Sequence, residues 1–283
     1  MKPRPLGVAS IELSRPRAAL AYSWPVVSVG WCPVPLIPAF EAFNPQGDPA
    51  IILVCDHASN IIPPEYEGLG LPAGRLETHI AWDIGAAAVT RTMASALGAP
   101  AILGTHSRLL VDLNRGEDDP TLVMKLSDGA IIPGNATADE AEIRDRARRF
   151  YHPYHDAIAS LIGGARGRGI TPVIVSIHSF TPEWKGKPRP WHVGVLWSRR
   201  DARLSGPLLE VLRAEPDLCV GDNQPYSGEL VGDCMDRHAL AQGLPHVLLE
   251  LRQDLIGDEA GARAWGTRLV PLLRKAIAGM KGA

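Results

Sequence analysis

From residue 50 onward, compact runs of Ile, Val and Leu alternate with stretches whose apolar residues recur at helical spacing. This alternation constrains the fold more than any other feature of the chain. "AIILVCD" (50–56), "PAILG" (100–104), "RLLVDLN" (108–114), "TPVIVSIHS" (171–179), "WHVGVLWS" (191–198) and "PHVLLELRQ" (245–253) read as strands buried on both faces. Between and after them, residues 76–98, 137–169, 201–216 and 257–280 read as helices. Gly98 ends the first of these, and Pro153 is expected to kink the second. Strands alternating with helices of this length predict an α/β sandwich with a largely parallel sheet, in one domain over 46–283.

The first 45 residues carry eight of the 25 prolines and show no helical or strand period. They are expected to form a poorly ordered or surface-draped extension, and proline interrupts the apolar run that a secretory signal would need. The chain is 46% hydrophobic and 21% charged, with a net charge of -2, and no Lys/Arg stripe follows a helix. That excludes a basic nucleic-acid footprint. The four cysteines, Cys32, Cys55, Cys219 and Cys234, include no C-x-x-C pair and read as reduced thiols. With no apolar run long enough to span a bilayer, the expected location is the cytoplasm, away from the membrane.

Sites in open α/β sheets form beyond the carboxyl ends of strands. Several predicted strands end in useful side chains: Asp56, His57 and Asn60; Asp112, Asn114 and Arg115; His178; and Glu250 with Arg252. His57 and His178 are either half-buried structural histidines or ligands of a zinc ion, for which imidazole is a common donor. Glu250 is either the partner of an arginine such as Arg252 or a general base. His79 and Asp83, four apart in the first helical stretch, share a face that is expected to turn toward the same place. His152 and His155 read as surface or packing residues.

"SRLLVDLNRG", with "DHAS", "WDIGA", "SIHSF" and "LLELRQDLI", resembles the N-formylglutamate amidohydrolase family over residues 50–256. That family is similar in turn to the zinc carboxypeptidase and aspartoacylase superfamily. The resemblance implies a three-layer α/β/α sandwich around a mixed, largely parallel sheet, and removal of an acyl group from an N-acyl amino acid, with N-formyl-L-glutamate the leading substrate. It implies one zinc ion held by His57 and His178, Glu250 as catalytic base, and a substrate carboxylate gripped by Arg108, Asn114 and Arg115; Arg252, at the same strand end as Glu250, is taken as a further substrate-binding residue. The wider superfamily has a glutamate three residues after its first histidine, where this chain has Asn60. An amide is a poor zinc ligand, so Asp83 is the expected third ligand, with Asp56 behind it. A zinc peptidase, another deacylase or a non-catalytic carboxylate-binding member are the alternatives.

Overall fold

The computed structural model describes residues 37–280. In chain order its first elements are β1 (Phe40–Phe43), β2 (Ile51–Cys55), α1 (Ala73–Leu76), α2 (Ala86–Leu97), β3 (Ala101–Gly104), β4 (Leu126–Ser127), β5 (Ala130–Ile131), α3 (Pro133–Ala136), α4 (Glu140–Arg146) and α5 (His152–Arg166). There follow β6 (Val173–Phe180), β7 (Glu183–Trp184), β8 (Lys187–Pro188), β9 (Val193–Leu196), α6 (Ser205–Arg213), β10 (Val220–Asp222), α7 (Cys234–His238), β11 (His246–Arg252), α8 (Gln253–Ile256) and α9 (Glu259–Ala278).

Seven strands form one sheet in the order β1-β3-β2-β6-β11-β9-β10. The inner run β3-β2-β6-β11 is parallel, while β1 joins β3 and β9 joins β11 antiparallel. Side chains alternate between two cores, as the pleat requires. Leu53, Cys55, Val175, Ile177, Leu249 and Leu251 face one core with α2, α6 and α9. Ile52, Val54, Ile174 and Leu248 face the other with α5 and α7. The expected mixed three-layer sandwich is therefore present. Among the described residues, no helix is long and apolar enough to cross a membrane.

Four expectations need correction or limits. Most of the 1–45 extension lies outside the described residues, but Phe40–Phe43, expected to lack structure, is an edge strand paired from Phe40↔Gly104 to Phe43↔Ala101. The helix expected over 76–98 spans only Ala86–Leu97, and it closes at Gly98 in the left-handed region as predicted. Gly85, at φ 83°, interrupts the helical path just upstream. The 137–169 stretch is helical, but a π-turn at Ala147–Tyr151 precedes Pro153 where a proline kink was expected. The wider turn accommodates a ring that has no N–H to donate.

The "RLLVDLN" run is not a strand. Leu109, Leu110, Val111 and Leu113 are buried, as their character dictates, yet their backbone lies in a loop. Side chains from elsewhere replace the ladder: Asn135 Nδ2 donates to the carbonyls of Leu109 and Met124, both at 2.8 Å. Arg146 Nη1 donates to the Leu110 carbonyl at 3.1 Å. Buried backbone groups must be paired, and these two buried side chains complete what local bonds begin, such as the Asp112 N–H to the Leu122 carbonyl at 2.7 Å.

Candidate metal and active site

Three adjacent parallel strands, β2, β6 and β11, bring their carboxyl ends to one edge of the sheet. Asp56 and His57 follow β2 directly, His178 lies near the end of β6, and Glu250 stands opposite His178 in the β11–β6 register. The loop after β3 returns over this edge with Arg108, Asp112, Asn114 and Arg115. His57, His178, Glu250, Arg108, Asn114 and Arg115 line a cavity of about 310 Å³, with Asp56 and Asp112 behind the two histidines.

His57 and His178 stand edge to face, with ring centroids 4.9 Å apart. Each turns Nε2 outward to a carboxylate: His57 to Asp112 Oδ1 at 2.7 Å, His178 to Asp56 Oδ2 at 2.8 Å. A carboxylate accepts only, so each Nε2 carries hydrogen and each Nδ1 faces the centre. Asp83 Oδ2 lies there, 3.4 Å from His57 Nδ1 and 2.8 Å from His178 Nδ1, so by the same rule the His178 nitrogen donates to it, and a metal ion would take the place of that hydrogen. The donor atoms of His57, Asp83 and His178 all fall within 4.8 Å of one another, and all three residues are buried. Two imidazoles and a carboxylate, with each imidazole oriented from behind by a further carboxylate, fit a catalytic zinc site with one open position. Asp112 and Asp56 are held in turn, Asp112 by Arg108 Nη2 at 2.9 Å and Asp56 by the Tyr154 hydroxyl at 2.8 Å.

Asp83 is positioned by a tight turn rather than by a helix. Its N–H donates to the His57 carbonyl at 3.0 Å, and the Ser179 N–H donates to its Oδ2 at 3.2 Å. Two residues later, Gly85 adopts a left-handed conformation, and a Cβ there would lie 2.1 Å from the Ile256 carbonyl oxygen. Gly85→Ala is expected to destabilise the protein by more than about 2 kcal/mol, since the left-handed backbone alone costs roughly 1–2 kcal/mol. The thermal midpoint should fall by about 5 °C or more, and bound metal should decrease because Asp83 moves with the turn. A midpoint within about 1 °C of wild type contradicts this account of the turn.

Burial pushes the Glu250 carboxyl up to about 7, a shift that the facing Asp83 charge reinforces. Its Oε2 is buried and has no hydrogen-bond partner among the described residues. The carboxylates behind the histidines move the other way. Burial works against the charge on Asp56, but the His178 hydrogen bond together with the His178 and His57 charges outweighs it and brings the carboxyl down to about 2. Burial likewise opposes charge on His178, while Asp56 and Asp83 hold its pKa well above the usual imidazole value. Glu250 is thus poised to exchange a proton near neutral pH, while Asp56, Asp83 and Asp112 stay ionised.

Asn114 and Arg115 reach the cavity as expected. Asn114 is held by its own N–H to Asp112 Oδ1 at 2.9 Å, and its Oδ1 accepts the Cys234 N–H at 3.0 Å. Its Nδ2 has no protein acceptor among the described residues. Arg115 donates to Thr121 Oγ1 and to the Asn114 carbonyl, with Asp119 at 3.9 Å. Arg108 also lines the cavity, but it is already shared between Asp112 and Asp83, the latter at 3.5 Å. Its guanidinium offsets the carboxylates of the site and leaves less for a substrate than the sequence suggested.

Arg252 is not brought to the cavity. It pairs with Asp254 at 2.7 Å and donates to the carbonyls of Arg189, Pro190 and Trp191. The alternative in which Glu250 pairs with Arg252 is not realised, since that guanidinium is spent on this loop. Asn60 donates to the Leu76 carbonyl at 2.9 Å, away from the histidines. His79 lines the cavity paired with Asp128, not on a shared helix face with Asp83.

The sequence reading gave Asp112 no role, although its spacing two residues before Asn114 was the available signal. Tyr226, Trp184, Asp233 and Gln253, which also line the cavity, carried no sequence pattern at all. Behind Asp56 lies a second group with donor atoms within 4.8 Å: His155, Cys234 and His238. There His155 Nδ1 and His238 Nε2 are 2.8 Å apart, and burial lowers the two imidazoles to about 3 and about 4. They form a neutral hydrogen-bonded pair in the core.

The gene product Atu2144 from Agrobacterium tumefaciens, known from a crystal structure, is 36% identical to this chain; the match covers 85% of this chain and 95% of that one, with a TM-score of 0.82. N-formylglutamate amidohydrolase from Ralstonia eutropha JMP134 is 22% identical over 86% and 98% of the two chains, with a TM-score of 0.60, a likeness of fold. No curated protein matches the chain. The profile of the N-formylglutamate amidohydrolase family matches residues 50–257, a span that runs from β2 to the end of α8 and takes in every residue of the cluster just described. This chain therefore belongs to the N-formylglutamate amidohydrolase family, hydrolases that act on amide bonds.

Proposed function

We propose that the protein is a zinc-dependent amidohydrolase that removes the formyl group from an N-formyl amino acid, with N-formyl-L-glutamate the leading substrate. The observation that carries this reading is the grouping of His57, Asp83 and His178 beside a buried Glu250 whose Oε2 has no partner among the described residues. A zinc ion held by those three residues would act as a Lewis acid toward the formyl oxygen and make water nucleophilic near neutral pH. Glu250 takes a proton from the attacking water and delivers it to the leaving nitrogen, as a carboxyl with a pKa of about 7 can do in both directions. The formyl carbon gains the water oxygen as its bond to nitrogen breaks, giving formate and the free amino acid. Asp112 and Asp56 fix the imidazole orientations, and Arg108 limits the mutual repulsion of Asp112 and Asp83.

Arg115 and Asn114 are assigned to one substrate carboxylate. A guanidinium holds a carboxylate through two parallel hydrogen bonds, and such charged bonds are worth roughly 1.5–3 kcal/mol. Arg115→Ala is expected to lower kcat/KM for N-formylglutamate by about 10- to 100-fold, mostly through KM. Arg115→Lys should recover little, because an ammonium lacks the fork. Steady-state kinetics on N-formyl-L-glutamate, beside a formylated amine that lacks any carboxylate, test this reading. An equal loss on both substrates assigns Arg115 to the scaffold instead, and no hydrolysis of any N-formyl amino acid removes the proposed activity.

A further inference from the structure

An amino acid with an acidic side chain has two carboxylates, and Arg115 with Asn114 accounts for one. The other cations at the cavity are largely committed: Arg108 to Asp112 and Asp83, and His79 to Asp128 at 3.1 Å. Arg189 differs. It follows the β7–β8 hairpin, and no carboxylate among the described residues comes within 4.0 Å of its guanidinium. Its charge is met by ring faces alone, with centroids of Trp184 and Tyr226 at 5.2 Å and Phe180 at 5.8 Å. Nη1 donates to Thr181 Oγ1 at 3.3 Å and to the Tyr226 hydroxyl at 3.2 Å. Nε and Nη2 donate to nothing among the described residues. Phe180, Thr181, Trp184 and Tyr226 all line the cavity, and Arg189, which packs on them without lining it, is one side chain from the interior.

The backbone beneath this cation is fixed. The Arg189 N–H donates to the Pro182 carbonyl at 2.8 Å, and its carbonyl accepts from Arg252 Nη1 at 3.3 Å. A half-buried guanidinium with its fork unused, on an anchored backbone, is preorganised for a planar anion. We propose that Arg189 is the specificity residue of the cavity and receives a second carboxylate, the one on the substrate's side chain. This inference rests on the reading of the substrate as N-formyl-L-glutamate, and it adds the residue that holds the side-chain carboxylate.

N-formyl-L-glutamate and N-formyl-L-glutamine differ in charge and hardly in shape, so their ratio isolates the contact. The wild type is expected to favour the glutamate compound by at least about tenfold in kcat/KM, carried by KM, and calorimetric Kd values should show the same preference. Arg189→Gln should bring the ratio close to one, and Arg189→Glu should push it below one. Both substrates meet the same protein preparation, so partial misfolding cancels from the ratio, and a purely structural role would leave it in place. A wild-type ratio near one, or a ratio unchanged in Arg189→Gln, overturns the assignment while the deformylase reading stands. If the wild type neither cleaves nor binds either compound, the substrate reading falls and takes this assignment with it.

Discussion

Glu250→Gln is expected to lower kcat by about 10²- to 10⁴-fold, the usual contribution of a positioned acid–base group. The amide keeps the shape of the side chain and cannot accept the proton. Because Glu250 is not among the proposed ligands, metal content measured by elemental analysis should stay at the wild-type level. KM should change little, since no substrate carboxylate is assigned to this residue. The physical basis is a buried carboxyl, 6% exposed, whose Oε2 has no partner among the described residues and whose pKa is pushed up to about 7 by that burial. A Glu250→Gln enzyme with wild-type kcat would remove Glu250 from the proton-transfer role and require another base near the histidines.

Stripping the metal is expected to have an effect as large. Dialysis against a chelator should abolish turnover, and added zinc should restore it. His57→Ala and His178→Ala should each lose bound metal and stay inactive when zinc is returned. Residues that only orient a metal ligand typically account for 10- to 100-fold in affinity or activity, so removing a ligand itself should exceed that. Asn60→Ala should leave metal binding near wild type, because Asn60 is spent on the Leu76 carbonyl. Full activity in protein verified as metal-free would overturn the proposed zinc chemistry and leave the amidohydrolase family assignment intact.

The parallel core of the sheet was legible in the sequence because burial on both faces demands unbroken runs such as "VIVSIH" and "VLLEL". Local pattern also placed His57, His178 and Glu250, since strand ends follow directly from strands. Position in space was harder. "RLLVDLN" is apolar enough for a strand, but its Leu109 and Leu110 carbonyls are met by Asn135 and Arg146, whose approach depends on tertiary folding. Residues 76–85 looked helical by spacing, whereas Gly85 serves a turn packed against Ile256, a contact with no trace in the local pattern. Arg252 shared a strand end with Glu250 and was read as a substrate ligand. Only the path of the 189–191 loop shows what its guanidinium is spent on. Arg189 itself sits between two short strands without any periodicity, and its three aromatic neighbours come from separate segments.

Glu250 and Arg252 lie two residues apart on β11, the strand held between β6 and β9. One carries the proposed proton transfer, and the other secures the carbonyls beneath Arg189. A single stiff rod therefore sets both the turnover machinery and the gauge at the cavity mouth. Any strain that slides this rod along its neighbours shifts both at once, so selectivity and rate are mechanically geared together. Variants that loosen the packing of β11 from a distance should degrade the two in parallel, while changes confined to the β7–β8 hairpin can retune the choice of side chain and leave the reacting centre where it stands.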